Sequence, residues 1–116
     1  MAMRKSATPV RKTKIQMNAD QMSVHANEAA NLLRAMASEH RLMVLCTLVQ
    51  GEMSVSQLMD VIPLAQSALS QHLAVLRRER LVSTRRDGQT VFYGLNPGPA
   101  MSVIRVLYDN YCCNLK

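Results

Sequence analysis

The stretch QSALSQHLAVLRRERLVSTRRDGQTVFYGL, residues 66–95, carries two different periodicities in succession. In its first half Leu69, Leu73 and Leu76 recur at spacings of four and three, so they share one face of a helix. That spacing predicts a helix over about residues 65–79. In its second half Leu81-Val82-Ser83-Thr84 and Thr90-Val91-Phe92-Tyr93 are β-prone, and Asp87-Gly88 lies between them. Asp-Gly is a favoured pair for a tight hairpin turn. A hairpin placed directly after an amphipathic helix is the order of a helix-turn-helix followed by a wing.

The flanking sequence extends the same pattern. Ser54 is positioned to cap a short helix over residues 55–61, with Leu58 and Ile62 inward and Pro63 as its stop. Upstream, Ser38 starts a helix that carries Leu42, Leu45, Cys46 and Val49 on one side, with Gly51 expected at its C′ position. A first helix begins at Asn18, where Ala29, Leu32, Leu33, Met36 and Ala37 follow the helical spacing. Downstream, Asn96-Pro97 ends the strand, and a last helix over about residues 98–113 presents Val103, Ile104, Leu107 and Tyr111. The fold class is therefore mainly α with a small β-hairpin, a winged helix-turn-helix. One domain over residues 18–116 follows a basic, disordered arm over residues 1–17, with no repeat and no second domain. The chain has 116 residues and only one Phe and three Tyr, so its core must be built from aliphatic residues and Met. A core this small gains from a homodimer through the first and last helices.

The formal net charge of +6 is misleading as a clue to partners, because Arg4, Lys5, Arg11, Lys12 and Lys14 supply five of those units. The informative concentration is Arg77, Arg78, Arg80, Arg85 and Arg86, opposed within that run only by Glu79. No stretch approaches the ~20 apolar residues of a membrane span. The basic N-terminus is not followed by the apolar core of a signal peptide, so a cytoplasmic location is expected. Three cysteines in that setting read as thiols in a reducing compartment.

On the predicted helix 65–79, the face opposite the leucines is Ser67, Gln71, Ala74 and Arg78, with Gln66 and Ser70 flanking. Short hydroxyls let a helix approach base edges closely, and Gln can pair with adenine through two hydrogen bonds. Arg77 and Arg78, together with Arg85, Arg86 and Gln89 around the hairpin, suit phosphates. A polar face on an isolated helix is ordinarily solvated surface. The capped helix before it and the arginine-flanked hairpin after it turn the reading toward double-stranded operator DNA. His72 lies beside that face, placed either for a hydrogen bond within the protein or for DNA.

The segments RAMASEHRLMVLCTLVQGEMSVSQL and QSALSQHLAVLRRERLVSTRRDGQTVFYGL together resemble the ArsR family of prokaryotic winged-helix repressors, over about residues 26–112. The resemblance implies a homodimer that leaves its operator when an inducer binds. Metal-sensing members often carry a Cys-x-Cys pair where this chain has Ser54 and Ser56. Another metal site of the family needs Asp and His on the last helix, which here offers Asp109 but no His. The resemblance extends to a persulfide-sensing subgroup and its virulence-regulator relatives through Cys46 and Cys112, which it implies are coupled by reactive sulfur species. Taken without the resemblance, Cys46 is a small residue on an apolar face. Cys112 and Cys113 point about 100° apart on a helix, so both cannot face one partner.

No cofactor and no metal site are expected. A metal-responsive or generally redox-responsive repressor built on Cys46, Cys112, Cys113 and His25 or His40 is the alternative, although these residues lack compact ligand spacing. An enzyme is disfavoured by the lack of a Cys-x-x-Cys motif and of a His beside a cysteine. A winged helix used only for protein contacts fits poorly with the Ser67/Gln71 face.

Overall fold

The computed structural model describes residues 18–112; the basic arm over residues 1–17 and Cys113 lie outside the described residues. Five α-helices and three strands follow in the order α1 (Ala19–Met36), α2 (Glu39–Leu48), β1 (Met53–Ser54), α3 (Val55–Val61), α4 (Gln66–Arg78), β2 (Val82–Asp87), β3 (Thr90–Leu95) and α5 (Pro99–Leu107). A π-helical turn, Tyr108–Cys112, continues α5. No helix among the described residues is long and apolar enough to cross a membrane.

The backbone falls into two compact units that divide within α1, between Ala30 and Asn31. In the first, Asn18 Oδ1 accepts from the Gln21 amide at 2.8 Å, while Gln21 Oε1 accepts from the Asn18 amide at 3.1 Å. This reciprocal pair satisfies two donors that the helix start would otherwise leave open. Met22 and Val24 in this segment are exposed.

The second unit is the winged helix. Its core is aliphatic, with Val44, Leu45 and Leu48 from α2, Leu58 and Ile62 from the α3 region, Leu69, Leu73 and Leu76 from α4, and Ile104 from α5 all buried. The predicted leucine stripe of α4 thus faces inward. Most of the expected α1 stripe does not: Met36 is buried and Leu32 half-buried, whereas Ala29 and Ala37 are exposed and Leu33 is 53% exposed. Two of the expected caps hold. Ser38 Oγ accepts from the Arg41 amide. Ser54 and Gln57 form a full capping box on α3. Helix α2 ends earlier than expected, with Val49 as C-cap, so Gly51 stands beyond the C′ position.

The end of α4 sets up the wing. Leu81 N donates to Leu76 O at 2.9 Å and Arg80 N to Arg77 O at 3.0 Å, with Arg80 at φ 64°. This is a Schellman motif with arginine where glycine is usual. Buried Leu76 and Leu81 supply its apolar contact, and Asn96 Nδ2 donates to Arg80 O at 2.9 Å. The sheet has three strands in the order β1-β3-β2, all antiparallel, and not the two expected. The added strand pairs Met53 with Tyr93 and Ser54 with Phe92, which anchors the hairpin to the start of α3. Within the hairpin Asp87 still pairs with Thr90, so the turn residues are Gly88-Gln89 and not Asp87-Gly88. Gly88 has φ 65°, the conformation a glycine-first hairpin turn requires.

Candidate nucleic-acid interface

The α4 stripe that buries Leu69, Leu73 and Leu76 leaves Gln66, Ser67, Ser70, Gln71, Ala74, Arg77 and Arg78 exposed on the other side. All the short polar groups lie in the N-terminal half of α4, and the two arginines lie in its last turn. Cations at that end are also favoured by the exposed carbonyls of the helix terminus. Arg78 Nε lies 3.6 Å from Glu79 Oε2 in an exposed pair, an arrangement that contributes little to stability.

The wing residues Arg85, Arg86 and Gln89 are exposed, but their surroundings differ. Arg85 Nε and Nη2 each lie 2.9 Å from Glu52 Oε1, and its guanidinium sits 4.9 Å from the Phe92 ring centroid. Glu52 reaches this place by crossing Gly94: a Cβ there would stand 3.2 Å from Glu52 Cγ. Arg85 therefore fastens the hairpin to the segment before β1. Arg86 is the next residue along the strand, so its side chain leaves the opposite face of the pleat.

His72 is half-buried, with its ring centroid 5.9 Å from that of His40 and the two planes tilted by 33°. Burial, then the nearby charges of Arg41 and His40, hold the His72 imidazole below its ordinary value of 6.5. The folded chain therefore favours neutral His72, and the unfolded chain takes up the proton first as pH falls through 6.5. This contribution to stability is complete above that pH and declines below it. Urea midpoints measured across this range should fall less in His72→Gln than in the unmodified protein. Parallel pH profiles for the two would contradict the assignment.

Cys46 is half-buried on α2. With Glu39, Leu42, Met43, Leu107 and Tyr111 it lines an apolar recess of about 320 Å³. Tyr111 immediately precedes Cys112, so the π turn brings the backbone of Cys112 next to a residue that shares the recess with Cys46. Side-chain hydrogen bonds help hold this turn: Gln50 Nε2 donates to the Tyr108 hydroxyl at 3.3 Å, and Asn110 Nδ2 to Val106 O at 2.7 Å. The metal positions of the resemblance are otherwise engaged or open. The Ser54 hydroxyl caps α3, and Ser56 and Asp109 are exposed. Among the described residues no three His, Cys, Asp or Glu side chains cluster as metal ligands.

Comparison with known proteins agrees with this architecture. Residues 38–84 match the model of the arsR family of bacterial regulatory proteins. The transcriptional activator HlyU of Vibrio cholerae is 48% identical over 96 residues, covering 83% of this chain and 89% of that protein. The biofilm growth-associated repressor of Xylella fastidiosa is 41% identical over 104 residues, covering 90% and 91%. The crystal structure of the transcriptional repressor BigR from Xylella fastidiosa superposes with a TM-score of 0.78 at 41% identity, covering 85% of this chain and 98% of that one. At these identities over nearly the whole winged helix, the chain belongs to the arsR family of bacterial regulatory proteins.

Proposed function

We propose that this chain is a homodimeric transcriptional repressor that inserts α4 into the major groove of operator DNA. We further propose that reactive sulfur species release it by linking Cys46 to Cys112. The observation that carries the DNA reading is the division of α4 into a fully buried leucine stripe and an exposed polar face beside the wing. Gln66, Ser67, Ser70 and Gln71 would meet base edges, and Arg77, Arg78, Arg86 and Gln89 the phosphates. Arg85, fastened to Glu52, would meet a phosphate with its remaining donors beside Arg86. Exposed Met22, Val24, Leu33, Val106 and Tyr111 supply apolar surface from the terminal helices for a second copy. A two-fold dimer would then read half-sites about 34–36 Å apart.

The experiment is a titration of labelled duplex from the region upstream of its own gene, against a scrambled duplex, at several salt concentrations. Specific binding should exceed nonspecific binding by roughly 10³-fold or more. Arg86→Ala should weaken both duplexes alike and reduce the salt slope by about one. Equal affinity for both duplexes would remove the operator reading.

For the switch, each thiolate takes one sulfur atom from a persulfide donor, which leaves as a thiol. One cysteine persulfide then attacks the inner sulfur of the other and expels hydrosulfide, leaving a trisulfide. The oxidising equivalents come from the two donors. A bridge with an added sulfur spans more than a disulfide, whose Cα atoms must lie within roughly 7 Å. That difference is a physical basis for distinguishing persulfides from peroxide. A coupling of ~1–3 kcal/mol corresponds to a several-fold to roughly hundredfold loss of operator affinity. Polysulfide should therefore release the reduced protein from DNA, with mass spectrometry finding Cys46 joined to Cys112. Cys46→Ser and Cys112→Ser should bind DNA yet ignore polysulfide, and Cys113→Ser should still respond. A fully inducible Cys46→Ser would return Cys46 to a packing role.

A further inference from the structure

Helices α1, α2 and α4 converge on a second recess, of about 360 Å³, which is polar where the cysteine recess is apolar. Arg34 comes from α1, Arg41 from α2 and Arg78 from α4, with Asn31 and Glu79 at the same recess. Three arginines and one carboxylate thus line the recess, and Glu79 is already engaged at 3.6 Å by Arg78 Nε. Like charges brought together in this way repel unless an anion joins them.

Two details describe how these side chains are held. Arg34 Nη1 donates to Asn31 Oδ1, which fixes one arm of its fork and leaves the other donors directed elsewhere. Arg41 is half-buried, and its Nε is the buried side-chain polar atom, among the described residues, that lacks a hydrogen-bond partner. That atom is closed off from solvent, so the donors Arg41 can turn toward the recess are its terminal Nη groups. The arginines come from three different helices. Such a set suits an oxyanion with several oxygens better than a planar carboxylate held by one arginine fork.

We propose that this recess is an oxyanion site that takes a phosphate- or sulfate-type group through Arg34, Arg41 and Arg78. Two sources present that chemistry, a DNA backbone phosphate and a free inorganic anion. The proposal does not rest on the operator reading, because binding of the free anion is measured without DNA.

The test uses the reduced full-length protein labelled with ¹⁵N, titrated with inorganic phosphate and with sulfate against chloride at matched ionic strength. The arginine Nε–Hε resonances of Arg34, Arg41 and Arg78 should shift saturably with both oxyanions and not with chloride. Arg34→Gln, on an exposed side chain, should weaken the apparent affinity roughly tenfold or more. Arg41→Lys, which keeps the charge but loses the paired Nη donors of the guanidinium, should also weaken it. Shifts that follow ionic strength alone, or saturable shifts unchanged in both variants, would overturn the proposal. Duplex titrations then assign the source. If it is a backbone phosphate, Arg34→Gln weakens operator and scrambled duplex alike and lowers the salt slope by about one. If it is a free anion, Arg34→Gln leaves DNA affinity in chloride unchanged and abolishes the effect of phosphate upon it.

Discussion

Leu73→Ala is expected to lower the unfolding free energy by about 2–5 kcal/mol, the range for emptying a well-packed leucine site. Leu73 is 1% exposed, and its stripe neighbours Leu69 and Leu76 are fully buried. Helix α4 packs through this stripe on α2, α3 and β2, so one truncation loosens contacts to three elements. Among the described residues the fully buried core holds no aromatic side chain, and Tyr93 packs only at its edge. Ser70→Ala, one turn earlier on the exposed face, should stay within about 0.5 kcal/mol. Urea unfolding at one fixed protein concentration checks both, since association would otherwise contribute to the measured stability. Equal midpoints for Leu73→Ala and the unmodified protein would mean that α4 is not seated on the core as described.

What was legible in the sequence follows from where the signal resides. The bounds of α3 could be read because Ser54 and Pro63 mark its two ends locally, and the inward face of α4 because its leucines keep helical spacing over about two turns. Strand β1 has only two residues, too few for an alternating pattern, and exists because β3 offers it a partner. The end of α4 was equally hidden, since its left-handed residue is Arg80 and not glycine. The hairpin turn moved by one residue because the Asp87–Thr90 pair closes a glycine-first turn. Leu33 follows the α1 spacing yet is exposed, as spacing alone does not say how wide a stripe is covered.

The exposed residues of the candidate interface were all named from the sequence, but the arrangement around them was not. Arg85 and Arg86 are alike in the sequence, whereas in the structure Glu52, 33 residues away, holds Arg85. The π turn that carries Tyr111 to the Cys46 recess has no sequence marker. The arginine recess draws on three helices, and no local pattern relates Arg34, Arg41 and Arg78.

The second large effect concerns how α4 reads DNA. Gln71 stands at the centre of its exposed face, one turn after Ser67 and beside Ser70. Its amide has both a donor and an acceptor, so it can make two hydrogen bonds to an adenine edge at once. Such a pair discriminates against the wrong base by ~1–3 kcal/mol, which is several-fold to more than hundredfold in affinity. Gln71 is uncharged, so it contributes nothing to the counterion release that drives nonspecific binding. Its truncation should therefore separate the two kinds of affinity, unlike that of Arg86. The most direct measurement is the affinity of Gln71→Ala for operator and scrambled duplex at one salt concentration, with reduced protein whose urea midpoint matches the unmodified chain. The account predicts operator binding weakened by ~1–3 kcal/mol and scrambled-duplex binding nearly unchanged. Undiminished preference for the operator would contradict the placement of this face of α4 against the bases.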